Sequence, residues 1–250
     1  MQTLIVVFLT AVVLMTSSLP STGVEGQRIT YGPNSKYTGH LVKPHGPGPF
    51  PALVVIHEWW GLNDNIKTTA DKLAGEGYVA LAVDMFGKVA TDPGEAMRMV
   101  RSLNQTEANA KLLATTDYLR SLPYVIPGKV GSIGWCFGGG QSLSLALNDP
   151  KLVAAVMYYG KPITDPKELA KIKAAVLGIF GEADESIPIA DVKAFGEALK
   201  KAGVTHEIHT YPGAGHAFAN PTSSKRYNPE AAKDAWDKTI AFLQKYLKSK

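Results

Sequence analysis

The stretch Val130-Gly-Ser-Ile-Gly-Trp-Cys-Phe-Gly-Gly-Gly140 constrains this chain more than any other, because it turns an apolar strand abruptly into a glycine-rich helix start. Its centre, Gly134-Trp-Cys-Phe-Gly138, is the G-x-nucleophile-x-G pattern of a nucleophile elbow, with a thiol where serine is more usual. The turn is so sharp that a Cβ two residues before or after the nucleophile would strike the neighbouring strand or helix. It sets the sulfur of Cys136 at a helix N-terminus, where unpaired N–H groups and the helix dipole favour a thiolate. Cys136 is the one cysteine in 250 residues. A lone cysteine is commonly just a small buried hydrophobe. This one occupies the place where a nucleophile belongs.

A nucleophile of this kind needs an acid and a histidine later in the chain, in that order, as in α/β-hydrolases. The strand-like run Ala174–Phe180 ends in Gly181-Glu-Ala-Asp-Glu-Ser-Ile-Pro188, which sets Asp184 in a loop at a strand's carboxyl end. The next run, His206–Tyr211, ends in Pro212-Gly-Ala-Gly-His-Ala-Phe218 and places His216 likewise. In a parallel sheet all three loops open on one edge, where open α/β folds build their sites. His216 would take the thiol proton and return it to the leaving group, while Asp184 would fix the imidazole's tautomer and stabilise its charged form. Alone, Asp184 reads equally as a turn former or helix cap and His216 as an ordinary loop residue.

With these residues in place the chain resembles the dienelactone hydrolase family of the α/β-hydrolase superfamily. The likeness is carried by Gly134-Trp-Cys-Phe-Gly-Gly-Gly140, Phe180-Gly-Glu-Ala-Asp-Glu-Ser-Ile-Pro188, Gly213-Ala-Gly-His-Ala-Phe218 and Val54-Val-Ile-His-Glu-Trp-Trp-Gly-Leu-Asn63. It runs from about Ile29 to the C-terminus. The resemblance implies a Cys136, Asp184, His216 triad and an oxyanion hole made by the backbone N–H groups of Trp59 and Phe137. It also implies that Glu58 approaches the resting thiol and is displaced by substrate; read without it, Glu58 is a loop carboxylate or one paired to a nearby base.

Two places depart from the family, whose arginines help to bind a substrate carboxylate. One falls in Asp84-Met-Phe-Gly-Lys88 and the other four residues after the histidine, where this chain has Lys88 and Asn220. Lysine cannot make arginine's planar bidentate pair, and asparagine has no charge. The triad therefore carries over, whereas dienelactone as the physiological substrate does not. Tyr159 either reaches the pocket with its hydroxyl or packs at a strand end, and Trp60 either walls the sulfur with Trp59 or sits in the core.

Continuous apolar runs such as Leu53-Val-Val-Ile56 suit strands covered on both faces. Alternation with helical stretches predicts a doubly wound, mostly parallel sheet with helices on both faces. Strands are expected at Gln27–Tyr31, Tyr37–Val42, Ala52–His57, Val79–Asp84, Lys129–Ile133, Leu152–Tyr158, Ala174–Phe180 and His206–Tyr211. Helices are expected at Ile66–Glu76, Glu95–Leu103, Glu107–Leu122, Gly138–Leu147, Pro166–Ala170, Ile189–Ala202 and Pro229–Leu247. A hydrophobic share of 45% suits one such domain over residues 27–250.

Residues 1–26 differ in kind. Met1–Met15 is an uncharged apolar run shorter than the roughly 20 residues that span a bilayer, and a small, polar stretch follows it. It reads as a secretory signal peptide cleaved before Gln27, with an uncleaved anchor as the alternative. An exported (periplasmic or secreted) protein with one cysteine has no internal disulfide framework. The net charge of +4 is spread over helical faces such as Lys193–Lys201, without aromatic interleaving, so nucleic acid is not an expected partner. No cofactor or metal is expected: His57-Glu58 lacks the second histidine of a zinc helix, and His206 and His209 point to opposite faces of a strand. Asn104-Gln-Thr106 fits the glycosylation acceptor of eukaryotic secretion.

The chain thus reads as an exported monomeric hydrolase of small esters or lactones working through a cysteine acyl-thioester, free of the membrane once cleaved. The rival reading is a catalytically silent exported binding protein on the same fold. If residues 1–26 are a leader, the exported protein starts near Gln27; intact-mass measurement of a secreted or periplasmic product that retains Met1 would contradict cleavage.

Overall fold

The computed structural model describes residues 26–249, so the expected leader, but for Gly26, lies outside the described residues. One eight-stranded sheet runs through the molecule in the order β1-β2-β4-β3-β5-β6-β7-β8. Its strands are β1 (Gln27–Tyr31), β2 (Tyr37–Val42), β3 (Phe50–Ile56), β4 (Val79–Val83), β5 (Val125–Trp135), β6 (Ala154–Tyr158), β7 (Ala175–Gly181) and β8 (His206–Tyr211). Strands β3 to β8 are mutually parallel, while β2 pairs antiparallel with both β1 and β4. The helices are α1 (Asp64–Gly75), α2 (Pro93–Arg101), α3 (Gln105–Ser121), α4 (Phe137–Asn148), α5 (Pro166–Leu169), α6 (Ile189–Lys201) and α7 (Pro229–Leu243).

Every residue of β4, β6 and β7 is buried, as continuous apolar strands between two helical layers require. Successive residues of β5 meet opposite layers. Ser132 bonds the Ser142 hydroxyl of α4 at 2.8 Å, while the bare face of Gly131 admits Leu247, just beyond α7. Helix starts follow side-chain chemistry: Asn63, Asp92, Asn104 and Asn228 each accept the backbone N–H three residues on, capping α1, α2, α3 and α7. Helices α4 and α6 lack such a cap. At α6 the N-cap is Pro188; at α4 it is Cys136, whose side chain caps nothing, so the N–H of Phe137 at the helix start is left for another use.

Two boundaries differ from the sequence reading by more than two residues. Strand β5 begins at Val125 rather than Lys129, because Val125 pairs with Phe50 across an irregularity that lets Pro127 and Gly128 pass without ending the strand. Helix α7 stops at Leu243 and continues as a wider π turn over Gln244–Lys248, which keeps Leu247 buried.

The elbow rests on backbone contact. A Cβ at Gly138 would lie 2.2 Å from the Ile56 carbonyl oxygen and 2.5 Å from that of His57, both main-chain atoms at the end of β3. At Gly140, two residues on, the nearest such atom is 3.8 Å away. Gly138→Ala should therefore cost about 3 kcal/mol or leave the protein insoluble, while Gly140→Ala should be neutral or stabilise by up to about 1 kcal/mol. Urea denaturation midpoints of the two variants decide it, and equal midpoints would contradict the contact.

Candidate active site

Three loops bring the expected residues together. Cys136 follows β5 directly and adopts φ 55°, ψ −117°, a left-handed conformation that costs a side-chain-bearing residue free energy. Its amide donates to the Tyr158 carbonyl at 3.0 Å, tying the elbow to β6. Asp184 lies three residues past β7 and His216 five residues past β8. The two loops are pinned by the Ala183 N–H donating to the Ala214 carbonyl at 2.9 Å.

The side chains form a line. His216 Nε2 is 3.1 Å from Cys136 Sγ, and Nδ1 is 2.7 Å from Asp184 Oδ2. The other carboxylate oxygen of Asp184 accepts the backbone N–H groups of Ser186 at 2.8 Å and Ile187 at 3.2 Å. Burial disfavours charge on Asp184, but the His216 hydrogen bond and charge and these two amides outweigh it and hold the carboxyl below its ordinary range. Burial likewise opposes an imidazolium at His216, and the bonds and charges of Asp184 and Cys136 overcome it, raising the ring to about 10. The arrangement thus favours a proton on the ring, held between the Asp184 carboxylate and the Cys136 sulfur.

The N–H groups of Trp59 and Phe137 have no acceptor among the described residues. Phe137 is the first residue of α4, where an N–H has no intrahelical partner, and Trp59 lies in the turn after β3. Both are free to receive a ligand oxygen.

Glu58 is buried beside this line. Its Oε2 accepts from Asn220 Nδ2 at 2.5 Å, and the Tyr159 hydroxyl stands 3.5 Å from Oε1. Burial raises its pKa; the Asn220 bond and the positive charge of His216 pull the other way without cancelling it. The amide orientation of Asn220 follows from its other contacts. Its Oδ1 accepts the Thr222 N–H at 2.9 Å and the Thr222 hydroxyl at 2.7 Å, which leaves Nδ2 to face Glu58. The Tyr159 ring meets the His216 ring edge-on at 5.2 Å, from a residue at φ 34°. Tyr159 therefore links Glu58 to the histidine.

The remaining expected residues are placed otherwise. Asn220, expected where the family binds a substrate carboxylate, has its amide engaged by Glu58 and Thr222. Lys88, at the other departure from the family's carboxylate-binding arginines, turns its exposed ammonium onto Glu95 at 2.5 Å because that anion lies in the first turn of α2. Trp60 and Trp59 meet at 5.0 Å and pack with Phe86 over a small apolar cluster of Ala90, Ala96 and Met99. A cleft of about 630 Å3 between α1, the Ala219–Thr222 loop and α7 reaches Glu58, Tyr159 and Asn220, but neither Cys136 nor His216. Sequence reasoning gives no role to His57 or Thr222. His57 stands there only within the family-like stretch and as half of an absent metal motif, and nothing in the local sequence marks Thr222.

Among the described residues no group of histidines, cysteines and carboxylates could hold a metal ion, and no helix is long and apolar enough to cross a membrane.

Comparison with known proteins agrees with this frame. A model of the dienelactone hydrolase family matches residues 37–247. Protein usf of Aquifex pyrophilus is 35% identical, over 89% of this chain and 99% of its own. An Aquifex aeolicus relative, named as a candidate carboxymethylenebutenolidase, is 32% identical over 89% of this chain and 100% of its own. Among solved structures, a dienelactone hydrolase-like promiscuous phosphotriesterase from metagenomic libraries superposes with a TM-score of 0.82 at 25% identity, covering 90% of this chain and 99% of that one. Sheet order, elbow and sequence together make this chain a member of the dienelactone hydrolase family, with the α/β-hydrolase fold.

Proposed function

We propose that the protein hydrolyses small carboxylic esters or lactones through an acyl-thioester on Cys136. The observation that carries this reading is the unbroken line from Sγ to Nε2 at 3.1 Å and from Nδ1 to Asp184 at 2.7 Å. His216 takes the Sγ proton, and the thiolate adds to the substrate carbonyl carbon. The oxygen becomes an oxyanion facing the N–H groups of Trp59 and Phe137. As the C–O bond breaks, His216 returns its proton to the departing alkoxide. His216 then deprotonates a water, the hydroxide adds to the thioester carbon, and the C–S bond breaks to release the acid. Asp184 keeps the ring in the tautomer that presents Nε2 to sulfur and stabilises its charged form. Glu58 is accessory to the resting thiol and gives way to substrate, a role supported by family membership and by its burial next to Tyr159.

The substrate is neutral in this reading. The cation at position 88 is neutralised by Glu95, and the residue at 220 is an amide bonded to Glu58. A missing bidentate charge pair is commonly worth about 1.5–3 kcal/mol, or roughly one to two decades of discrimination. The uncharged apolar run Met1–Met15 supports reading the enzyme as an exported one, acting outside the cytoplasm.

Turnover of short-chain esters and lactones tests both parts. Cys136→Ala should lower kcat by about 10⁴-fold or more with the fold intact, and neutral substrates should match or exceed dienelactone in kcat/KM. Undiminished turnover in a folded Ala variant would end the cysteine mechanism. A strong preference for dienelactone over every neutral ester would end the neutral-substrate reading alone.

A further inference from the structure

His57 is wholly buried immediately after β3, one residue before Glu58. Both ring nitrogens have partners of fixed polarity. The Met85 backbone N–H donates to Nε2 at 3.1 Å, so Nε2 carries no proton. The proton of the neutral ring is therefore on Nδ1, which donates to the Glu58 carbonyl at 2.5 Å. A charged ring would set a second N–H against that of Met85. Burial, the largest influence, already holds the ring's pKa down at about 4, while the charges of Asp84 and Lys111 act in opposite directions.

The Glu58 carbonyl and the Trp59 N–H belong to a single trans, planar peptide group, so fixing one direction fixes the opposite one. The imidazole also lies along Phe137, with ring centroids 6.0 Å apart and planes 26° from parallel, and it meets Phe86 at 5.0 Å. One buried side chain thus bonds the peptide group that carries the Trp59 N–H and stacks along the ring of Phe137.

We propose that His57 is a positioning residue that aims the Trp59 N–H at the developing oxyanion through its Nδ1–H bond to the Glu58 carbonyl. The inference rests on the cysteine mechanism above. It gives the neutral histidine a task in the reaction although its ring nitrogens bond only the Glu58 carbonyl and the Met85 N–H.

Two substitutions separate its two bonds. His57→Asn keeps a donor where Nδ1 stands and gives up the acceptor for Met85. His57→Gln keeps an acceptor level with Nε2 and gives up the donor. The Gln variant should lose about 100-fold in kcat, the size of effect seen when one oxyanion donor is removed, with KM changed by less than about threefold. The Asn variant should stay within about tenfold of wild type. Alkylation of Cys136 by iodoacetamide develops no oxyanion, so its rate should match wild type in both. The proposal is overturned if the Gln variant keeps wild-type kcat, or if alkylation falls in step with turnover, which would mean the triad itself has moved. Should the Gln variant not fold, nitrogen-15 NMR of the wild-type imidazole decides: a neutral Nδ1–H ring at pH 6 is expected, and an Nε2–H ring or an imidazolium overturns it. Full turnover in Cys136→Ala would instead sink the underlying mechanism, and no His57 variant enters that result.

Discussion

The first turn of α4 lies against main-chain carbonyls on either side of it, those of Ile56 and His57 at the end of β3 and that of Tyr158 in β6. Contact this close is open only to residues without a side chain, and Gly138 and Gly139 supply them. Everything else at the site is placed by it. The turn brings Phe137 under the His57 ring and lifts Cys136 into a strained conformation at the sheet's upper edge. The carboxyl ends of β7 and β8 then need only short loops to reach it.

Charge is managed around that turn in two ways. The Asp184, His216 and Cys136 line lets a proton shift between neighbours, since a cation on the ring has an anion or an incipient anion on each side. Glu58 is treated differently. Its direct partners are an amide and a phenol, so burial is opposed only weakly and the carboxyl is biased toward its neutral form. The two carboxyl groups of the site are therefore pushed in opposite directions by their surroundings, one held ionised and the other drawn toward neutrality.

Most of this frame is legible in the sequence, because it is local. Glycine spacing around Cys136, apolar runs ending in loops at Asp184 and His216, and capping asparagines before α1, α3 and α7 all act within a few residues. What escapes is long-range. Asn220 and Glu58 are 162 positions apart, and no local pattern announces their bond. Lys88 stands where the family has a carboxylate-binding arginine, yet an anion seven residues on captures it. Strand β5 passes through Pro127-Gly128, a pair that reads as a break, because its neighbour β3 absorbs the irregularity.

The side chains proposed as nucleophile and base also differ in how firmly the sheet holds them. Cys136 hangs from β5, between β3 and β6 in the middle of the sheet, whereas His216 hangs from β8, an edge strand paired only to β7 and half-exposed along most of its length. Edge strands fray at a smaller free-energy cost than central ones. Fraying at β8 would carry the imidazole away and leave the thiol on an intact centre. In the proposed mechanism, catalytic competence is thus a property of the sheet's margin, and docking of that margin is what completes the line of side chains.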